Sequence, residues 1–95
     1  MNKYEVLYII RTDIDEQAIK ETVDKFSAII TDNGGTIDKS DEWGKRRLAY
    51  TIDYKNEGYY VLLHFTADPK LPAELERNFK ISDNILRYLV TRLPE

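Results

Sequence analysis

The stretch that decides the fold runs from Trp43 to Phe65 and reads WGKRRLAYTIDYKNEGYYVLLHF. Apolar side chains alternate along its first half, and those on one side are Leu48, Tyr50, Ile52 and Tyr54. Period-two alternation of aromatic and branched side chains indicates a strand with one buried face. The second run, from Tyr59 to Ala67, is nearly continuous and apolar, as in a central strand. The polar segment Lys55–Gly58 between them is predicted to be a hairpin turn, with its glycine free to take a positive φ.

A strand and a helix precede this hairpin. Tyr4 to Ile10 alternates between polar and apolar residues as a strand does. A helix is predicted over about residues 15–32, because apolar residues recur there at helical spacing. Those residues are Ile19, Val23, Phe26 and Ile30. Asp13 or Asp15 is expected to cap the start of this helix, and Asn33-Gly34-Gly35 to end it.

The other elements lie on either side of the hairpin. Residues 36–42 lead irregularly into the second strand, and Gly44 is a candidate for a β-bulge. A second helix is predicted over about residues 70–81, with Pro72 tolerated in its first turn. The last strand is predicted from Ile85 to Leu93. Its buried face is expected to carry Leu86, Tyr88 and Val90.

The resulting βαββαβ order predicts an α+β two-layer sandwich of the ferredoxin-like type, spanning residues 1–95 as one domain. The four-stranded antiparallel-type sheet is expected in the spatial order 4-1-3-2, with both helices on one face. The uncovered face is expected to show Leu7, Ile9, Ala49, Tyr60, Leu62, His64, Arg87 and Leu89. This face is too apolar to be left wholly to water, so we expect a partner to cover it.

Composition limits the possible functions. The 95 residues are 42% hydrophobic and contain no cysteine, which is typical of one folded core and excludes disulfides and thiolate metal sites. No segment has the pattern of a signal peptide or a membrane helix, so a cytoplasmic location is expected. The net charge of −3 and pI of about 5.2 argue against coating nucleic acid by charge alone. Any RNA binding should therefore be local, shape-dependent, or shared with a basic partner.

Sequence motifs for catalysis are absent. His64 is the only histidine, and there is no nucleophile elbow, phosphate loop or metal-ligand spacing. The acidic residues Asp38, Asp41 and Glu42 are interpreted as a solvated lead-in to a strand rather than a metal site. We therefore expect neither enzymatic activity nor a cofactor nor a metal.

The basic cluster Lys45-Arg46-Arg47 is the candidate binding site. It lies beside Trp43 and near Tyr59 or Tyr60 across the hairpin, which combines phosphate-binding charge with stacking surface. Arg87 is expected to leave the sheet by the uncovered face and to add to the site. The alternative interpretation of the cluster is a charged strand end that protects a sheet edge from aggregation.

Two segments of the hairpin and three short matches elsewhere resemble a known family. The hairpin segments are Trp43-Gly44-Lys45-Arg46-Arg47-Leu48-Ala49-Tyr50, with Ile52 after it, and Glu57-Gly58-Tyr59-Tyr60. The shorter matches are Tyr4-Glu5, Gly34-Gly35 and the segment from Ile81 to Arg87 with its Leu86-Arg87 pair. With these residues, nearly all of the chain resembles the bacterial small-subunit ribosomal protein S-six family. The family's frequent charged C-terminal tail has no counterpart after Pro94-Glu95, so roles of that tail are not carried over.

The resemblance implies a function as well as the fold. Members of the family bind the central domain of 16S ribosomal RNA during small-subunit assembly, together with the small basic ribosomal protein S-eighteen. The implied RNA contacts are Lys45, Arg46, Arg47 and Arg87. The implied contacts with the protein partner are Trp43, Tyr60 and Leu62. The uncovered face and the edge of the second strand would form the docking surface, on the ribosome.

Other uses of the same fold stay open at this point. The aromatic platform of the RNA-recognition module is not expected, because Glu5 and Leu7 occupy the first-strand positions where an aromatic is needed. A small-molecule-binding regulatory domain has the same fold, as does a protein-protein adaptor that uses the open face without RNA. Salt dependence of binding separates RNA contacts from both, since phosphate contacts release counterions.

Overall fold

The elements follow the predicted βαββαβ order. The computed structural model describes residues 1–52 and 55–94 of the chain. Its strands and helices are β1 (Asn2–Ile10), α1 (Glu16–Asp32), β2 (Thr36–Ile52), β3 (Lys55–Ala67), α2 (Leu71–Ile81) and β4 (Ile85–Arg92). The predicted inward position of Tyr54 lies outside the described residues, and the described side chains do not include those of Ala49, Tyr50 and Ile52.

The strands form one antiparallel sheet in the order β2-β3-β1-β4. This is the predicted order 4-1-3-2 read from the other side. Both helices cover the same face, because the ring of Tyr8 in β1 contacts Phe26 of α1 and Phe79 of α2, with ring centroids 5.5 and 5.1 Å apart. The other face has no layer over it in the described part of the chain. We call it the open face.

The core lies between the sheet and the two helices. Alternate residues of the central strand β1 are buried there, namely Tyr4, Val6, Tyr8 and Ile10. The rings of Phe26 and Phe79 stack at 4.3 Å and join the helices above them. Burial of these large side chains is the main source of stability, at roughly 1.5–3 kcal/mol for each fully buried one.

The ends of α1 follow the expected chemistry. Of the two candidate caps, Asp15 is the one used, since its Oδ1 accepts a hydrogen bond of 2.7 Å from the backbone N–H of Ala18. Asp13 instead accepts hydrogen bonds from the guanidinium of Arg11. At the other end Gly34 adopts a φ of +82°, the left-handed conformation that ends helices.

The prediction of a turn at Lys55–Gly58 is wrong. These residues belong to β3 and pair with β2, where Arg46 lies opposite Gly58 and Ile52 lies opposite Lys55. The pairing of β2 with β3 is irregular between Arg47 and Ile52, but it resumes at Ile52, so the polar residues remain part of β3. Gly58 does not take a positive φ. Glycine is needed there because a Cβ would overlap Cγ2 of Ile9 on the neighbouring strand.

One face assignment in β4 also differs from the prediction. The register with β1 shifts between Ile9, which pairs with Arg87, and Ile10, which pairs with Ile85. Leu86 is therefore an extra residue, and Ile85 takes its expected place against the core. Tyr88 and Val90 pack against the core as predicted.

Candidate nucleic-acid interface

A β-bulge divides the long edge strand β2 into an acidic and a basic half. Glu42 pairs with Val61 and Gly44 with Tyr60, so that Trp43 is an extra residue between them. Gly44 has a φ of +82°, which confirms it as the bulge residue. In a regular strand an odd-numbered and an even-numbered residue would point to opposite faces. The bulge breaks this rule and puts Trp43 on the same face as the side chains that follow at positions 46 and 48.

The side chains of Trp43, Tyr60 and Arg46 meet on the open face, and we call them the Trp43 cluster. The rings of Trp43 and Tyr60 are nearly parallel, with 13° between their planes and 6.0 Å between their centroids. The guanidinium carbon of Arg46 lies 5.9 Å from the centroid of the Trp43 ring, within the range of a cation–π contact. The indole Nε1 donates a 3.2 Å hydrogen bond to Oδ2 of Asp41, which helps to hold the orientation of the ring.

The predicted cations Lys45 and Arg47 project to the helix side of β2. Residues directly opposite on paired strands share a face, and Lys45 lies opposite Tyr59, which packs against the helix-covered core. Lys45 lines a groove of about 450 Å³ between α1 and the sheet, together with Lys20. The basic cluster is therefore split between the two faces of the strand.

A second, smaller groove at the edge of the sheet is lined by all three residues of the basic cluster. It has a volume of about 240 Å³ and is lined by Lys45, Arg46, Arg47, Asn56 and Glu57. All three cations are exposed, and no strand within residues 1–52 and 55–94 lies on the outer side of β2. An anionic ligand that approaches this edge can reach charges from both faces.

Tyr59 and Glu42 connect the two strands on the helix side of the bulge. The Tyr59 hydroxyl donates a 2.8 Å hydrogen bond to Oε1 of Glu42. Burial, followed by this hydrogen bond to the carboxylate, raises the pKa of Tyr59 to about 12. The phenol therefore stays neutral and remains a donor at physiological pH, and it leaves the Glu42 carboxylate partly satisfied.

Arg87 shares the open face with the Trp43 cluster but lies farther along the sheet. It pairs with Ile9 of β1, which pairs in turn with Tyr60 of β3. Adjacent strands are about 4.8 Å apart, so the backbones of Arg87 and Tyr60 are separated by roughly 10 Å. The Arg87 side chain is exposed, as predicted.

Three leucines form an apolar row beside the Trp43 cluster. Leu89, Leu7 and Leu62 lie opposite one another on β4, β1 and β3, and the row ends on β2 at Asp41. Leu89 is 64% exposed, which is unusual for a leucine in a sheet. We call these residues the leucine row. They confirm the predicted apolar character of the open face.

The next row contains the only histidine of the chain. Nε2 of His64 lies 3.2 Å from Oε1 of Glu5 on the neighbouring strand, and Lys39 is its partner on β2. No third ligand accompanies this pair, because the described residues contain no group of three or more His, Cys, Asp or Glu side chains that could hold a metal. His64 is therefore a surface residue with a carboxylate partner.

Sequence reasoning missed two features of this site. Asp41 was expected to be merely solvated, yet it orients Trp43. Ile9 was expected to be exposed on the open face, yet it is only 6% exposed and packs over Gly58 beside Arg46. Asp41 and Trp43 are two residues apart in a strand and therefore share a face, which could have indicated the first contact. Nothing in the sequence pattern indicates the second, which depends on how β1 lies beside β3.

The fold and the site define a class of protein: a small protein with a ferredoxin-like fold and a basic, aromatic sheet edge. Among the described residues, neither helix is both long and apolar enough to cross a membrane. Residues 3–92 match the family described as Ribosomal protein S6. The chain belongs to this family, which places it among the structural, non-enzymatic proteins of the small ribosomal subunit.

Individual relatives show the same similarity over most or all of their length. The Small ribosomal subunit protein bS6 of Exiguobacterium sibiricum is 54% identical over 92 residues, which cover 97% of each chain. That of Thermoanaerobacter pseudethanolicus is 50% identical over 95 residues, or 100% of each chain. The crystal structure of 30S ribosomal protein S6 from Thermotoga maritima superposes with a TM-score of 0.93 at 31% identity, covering 97% of this chain and 87% of that one.

Proposed function

We propose that this protein binds the central domain of 16S ribosomal RNA together with ribosomal protein S-eighteen during assembly of the small subunit. The observation that carries the proposal is the concentration of three exposed cations around one groove at the end of the hairpin. The chain as a whole carries a net charge of −3, so this cluster is a local positive patch on an acidic protein. A basic partner would supply the remaining positive charge that RNA binding needs.

The proposed RNA contacts are the three cations of the groove and Arg87. Lys45, Arg46 and Arg47 reach both sides of the exposed edge of β2, so they can contact successive phosphates of a backbone that runs along this edge. Arg87 lies on the open face about two strands away and would contact a separate part of the RNA or the partner. Phosphate contacts of this kind position a protein on RNA without reading its sequence.

The proposed protein-partner surface is the leucine row, in which Leu62 is the predicted contact. Leu89 at one end of the row is 64% exposed, so its burial against a partner would remove substantial apolar area from water. Trp43 and Tyr60, also predicted as partner contacts, lie at the boundary between this row and Arg46. The boundary position is within reach of both macromolecules.

The test replaces two cations that are outside the core. The double variant Arg46→Ala/Arg47→Ala is compared with the matched variant Lys70→Ala/Lys80→Ala, which removes two exposed charges on the helix side. Binding to a 16S central-domain fragment is measured with the partner present across a salt series. The first variant should lose about 1–3 kcal/mol of binding free energy for each charge-assisted contact, and the control should lose much less. The slope of log K against log salt should fall by about 0.9 for each lost phosphate contact.

Two results would count against this proposal. An unchanged affinity in a well-folded Arg46→Ala/Arg47→Ala variant would remove the basic groove from the RNA interface. Partner binding without any salt-dependent RNA binding would favour a protein-protein adaptor instead. Circular dichroism and urea unfolding of each variant show whether the fold is retained, so that a binding defect is not confused with unfolding.

A further inference from the structure

We propose that the Trp43 cluster is a stacking site for one unpaired nucleobase of the bound RNA, with Arg46 contacting the adjoining phosphate. This inference rests on the proposed RNA-binding function and adds to it the chemical group that the aromatic pair takes. It also assigns the boundary residues Trp43 and Tyr60 to the RNA rather than to the protein partner.

The aromatic pair is held in place before any ligand binds. The Trp43 indole donates its Nε1–H to Asp41 on one side and lies nearly parallel to Tyr60 on the other. Trp43 is nevertheless 39% exposed, so part of its surface remains available to a ligand. A ring with a fixed orientation loses little conformational entropy when a flat group stacks on it.

The position of the stack differs from that of the platform in the RNA-recognition module. That platform needs aromatic residues on the central strands, where this sheet has the leucine row. Trp43 and Arg46 lie instead on the outer strand β2, and Tyr60 lies beside them on β3. The outer side of β2 has no neighbouring strand in the described part of the chain. A nucleotide can therefore reach the rings from the side while its phosphate contacts Arg46 or a neighbouring cation.

The charges around the rings favour a base over a protein side chain. Arg46 already lies 5.9 Å from the centre of the Trp43 ring and makes the cation–π contact, so a lysine or arginine of a partner protein would have to displace it. An apolar side chain of a partner would gain nothing from the cations Lys45, Arg46 and Arg47. It would bury more apolar area against the nearby leucine row. A neutral, flat base attached to a phosphate matches both the rings and the charges.

Gly44 is the positioning residue for this site. Its φ of +82° produces the bulge that brings Trp43 and Arg46 to the same face. No atom lies within 4 Å of a Cβ built on Gly44, so Gly44→Ala would strain the backbone without causing a clash. This variant should weaken RNA binding by disordering the Trp43 cluster, although alanine itself would not touch the ligand.

The test measures two binding steps separately for the full chain. The first step is binding of the chain to the partner S-eighteen without RNA, and the second is binding of that pair to a 16S central-domain RNA fragment. Trp43→Leu should weaken the second step by about 5- to 150-fold, which corresponds to the loss of one base–aromatic stack. The slope of log K against log salt should stay unchanged, because no phosphate contact is removed. Trp43→Phe should restore most of the affinity.

A matched control and a spectroscopic signal complete the experiment. Ile81→Ala removes another exposed apolar side chain, 64% exposed at the end of α2, and should leave both binding steps unchanged. Trp43 is the only tryptophan of the chain, so incorporation of 5-fluorotryptophan gives one fluorine signal. This signal should shift when RNA is added to the pair, since a stacked base changes the ring-current field at the indole.

Three outcomes would overturn the inference. If Trp43→Leu weakens the first step, the rings belong to the protein interface. If it weakens neither step while the unmodified chain binds RNA in a salt-dependent manner, the cluster is not a contact and only the stacking site is lost. If the unmodified pair binds no RNA at all, the proposed function fails together with this site.

Discussion

Gly58 gives the sharpest test of how the hairpin packs against the rest of the sheet. A Cβ built on Gly58 would overlap Cγ2 of Ile9 and lie 3.5 Å from Cδ2 of Leu48. Ile9 is 6% exposed and Leu48 is 8% exposed, so neither side chain has open space into which to move. The variant Gly58→Ala should therefore force β1 and β3 to shift near the candidate site.

The expected loss of stability follows from two opposing effects. Adding a methyl group to a tightly packed site costs about 1–3 kcal/mol, and the direct overlap with Ile9 places Gly58→Ala in the upper half of this range. Replacing glycine also removes freedom from the unfolded chain, which returns about 0.4–1 kcal/mol. The free energy of unfolding should thus fall by about 1–2.5 kcal/mol.

Urea unfolding of four proteins tests this explanation as a double-mutant cycle. The proteins are the unmodified chain, Gly58→Ala, Ile9→Ala and the double variant. Ile9→Ala removes the γ carbons with which the new methyl group collides, so the double variant should be more stable than the sum of the single effects predicts, by about 1 kcal/mol or more. Ile9→Val keeps the branched γ carbons and should give no such relief.

Gly44→Ala is the matched glycine control. Its cost comes from the positive φ rather than from a clash, so it should be the same in the presence and absence of Ile9→Ala. The clash explanation is refuted if the effects of Gly58→Ala and Ile9→Ala add to within about 0.5 kcal/mol, or if Gly58→Ala alone does not destabilise the protein.

Further predictions concern the half-buried Tyr59, the buried Tyr8 and the cap of α1. The pKa of Tyr59 is raised to about 12 from a usual value near 10, so the folded state favours the neutral phenol. The contribution of Tyr59 to the free energy of unfolding should be complete below about pH 10 and be lost as the pH rises towards 12. Urea unfolding at pH 9 and at pH 11 measures this loss, which should be smaller in Tyr59→Phe than in the unmodified chain. The Tyr8 hydroxyl is buried without a hydrogen-bond partner in the described structure. Tyr8→Phe should therefore raise the free energy of unfolding slightly, by less than about 1 kcal/mol. A decrease of more than about 2 kcal/mol would show that the hydroxyl has a partner. Asp15→Ala should cost about 1 kcal/mol through loss of the helix cap, whereas Asp13→Ala should cost less than about 0.5 kcal/mol; equal effects in thermal unfolding would contradict the assignment of the cap.

Local rules account for the parts of the fold that were predictable. The apolar spacing of α1, the glycine that ends it and the alternation of β1 each depend on residues that are neighbours in the chain. The wrongly predicted turn at Lys55–Gly58 shows the limit of such rules. Polar residues and a glycine look like a turn locally, yet pairing with Arg46, Arg47 and Ile52 across the hairpin keeps them in a strand.

The candidate site divides in the same way. The sequence alone determined the cations, the aromatic residues and Gly44 as a bulge candidate, because residue type and local spacing carry this information. The tertiary structure decided which of them meet: Arg46 joins Trp43 and Tyr60, while Lys45 and Arg47 project to the other face. It also decided that Ile9 packs over Gly58. The physical reason is that the register between strands, set by burial of the whole sheet face, determines these contacts. One extra residue at the bulge reverses the faces of the side chains at positions 45–47.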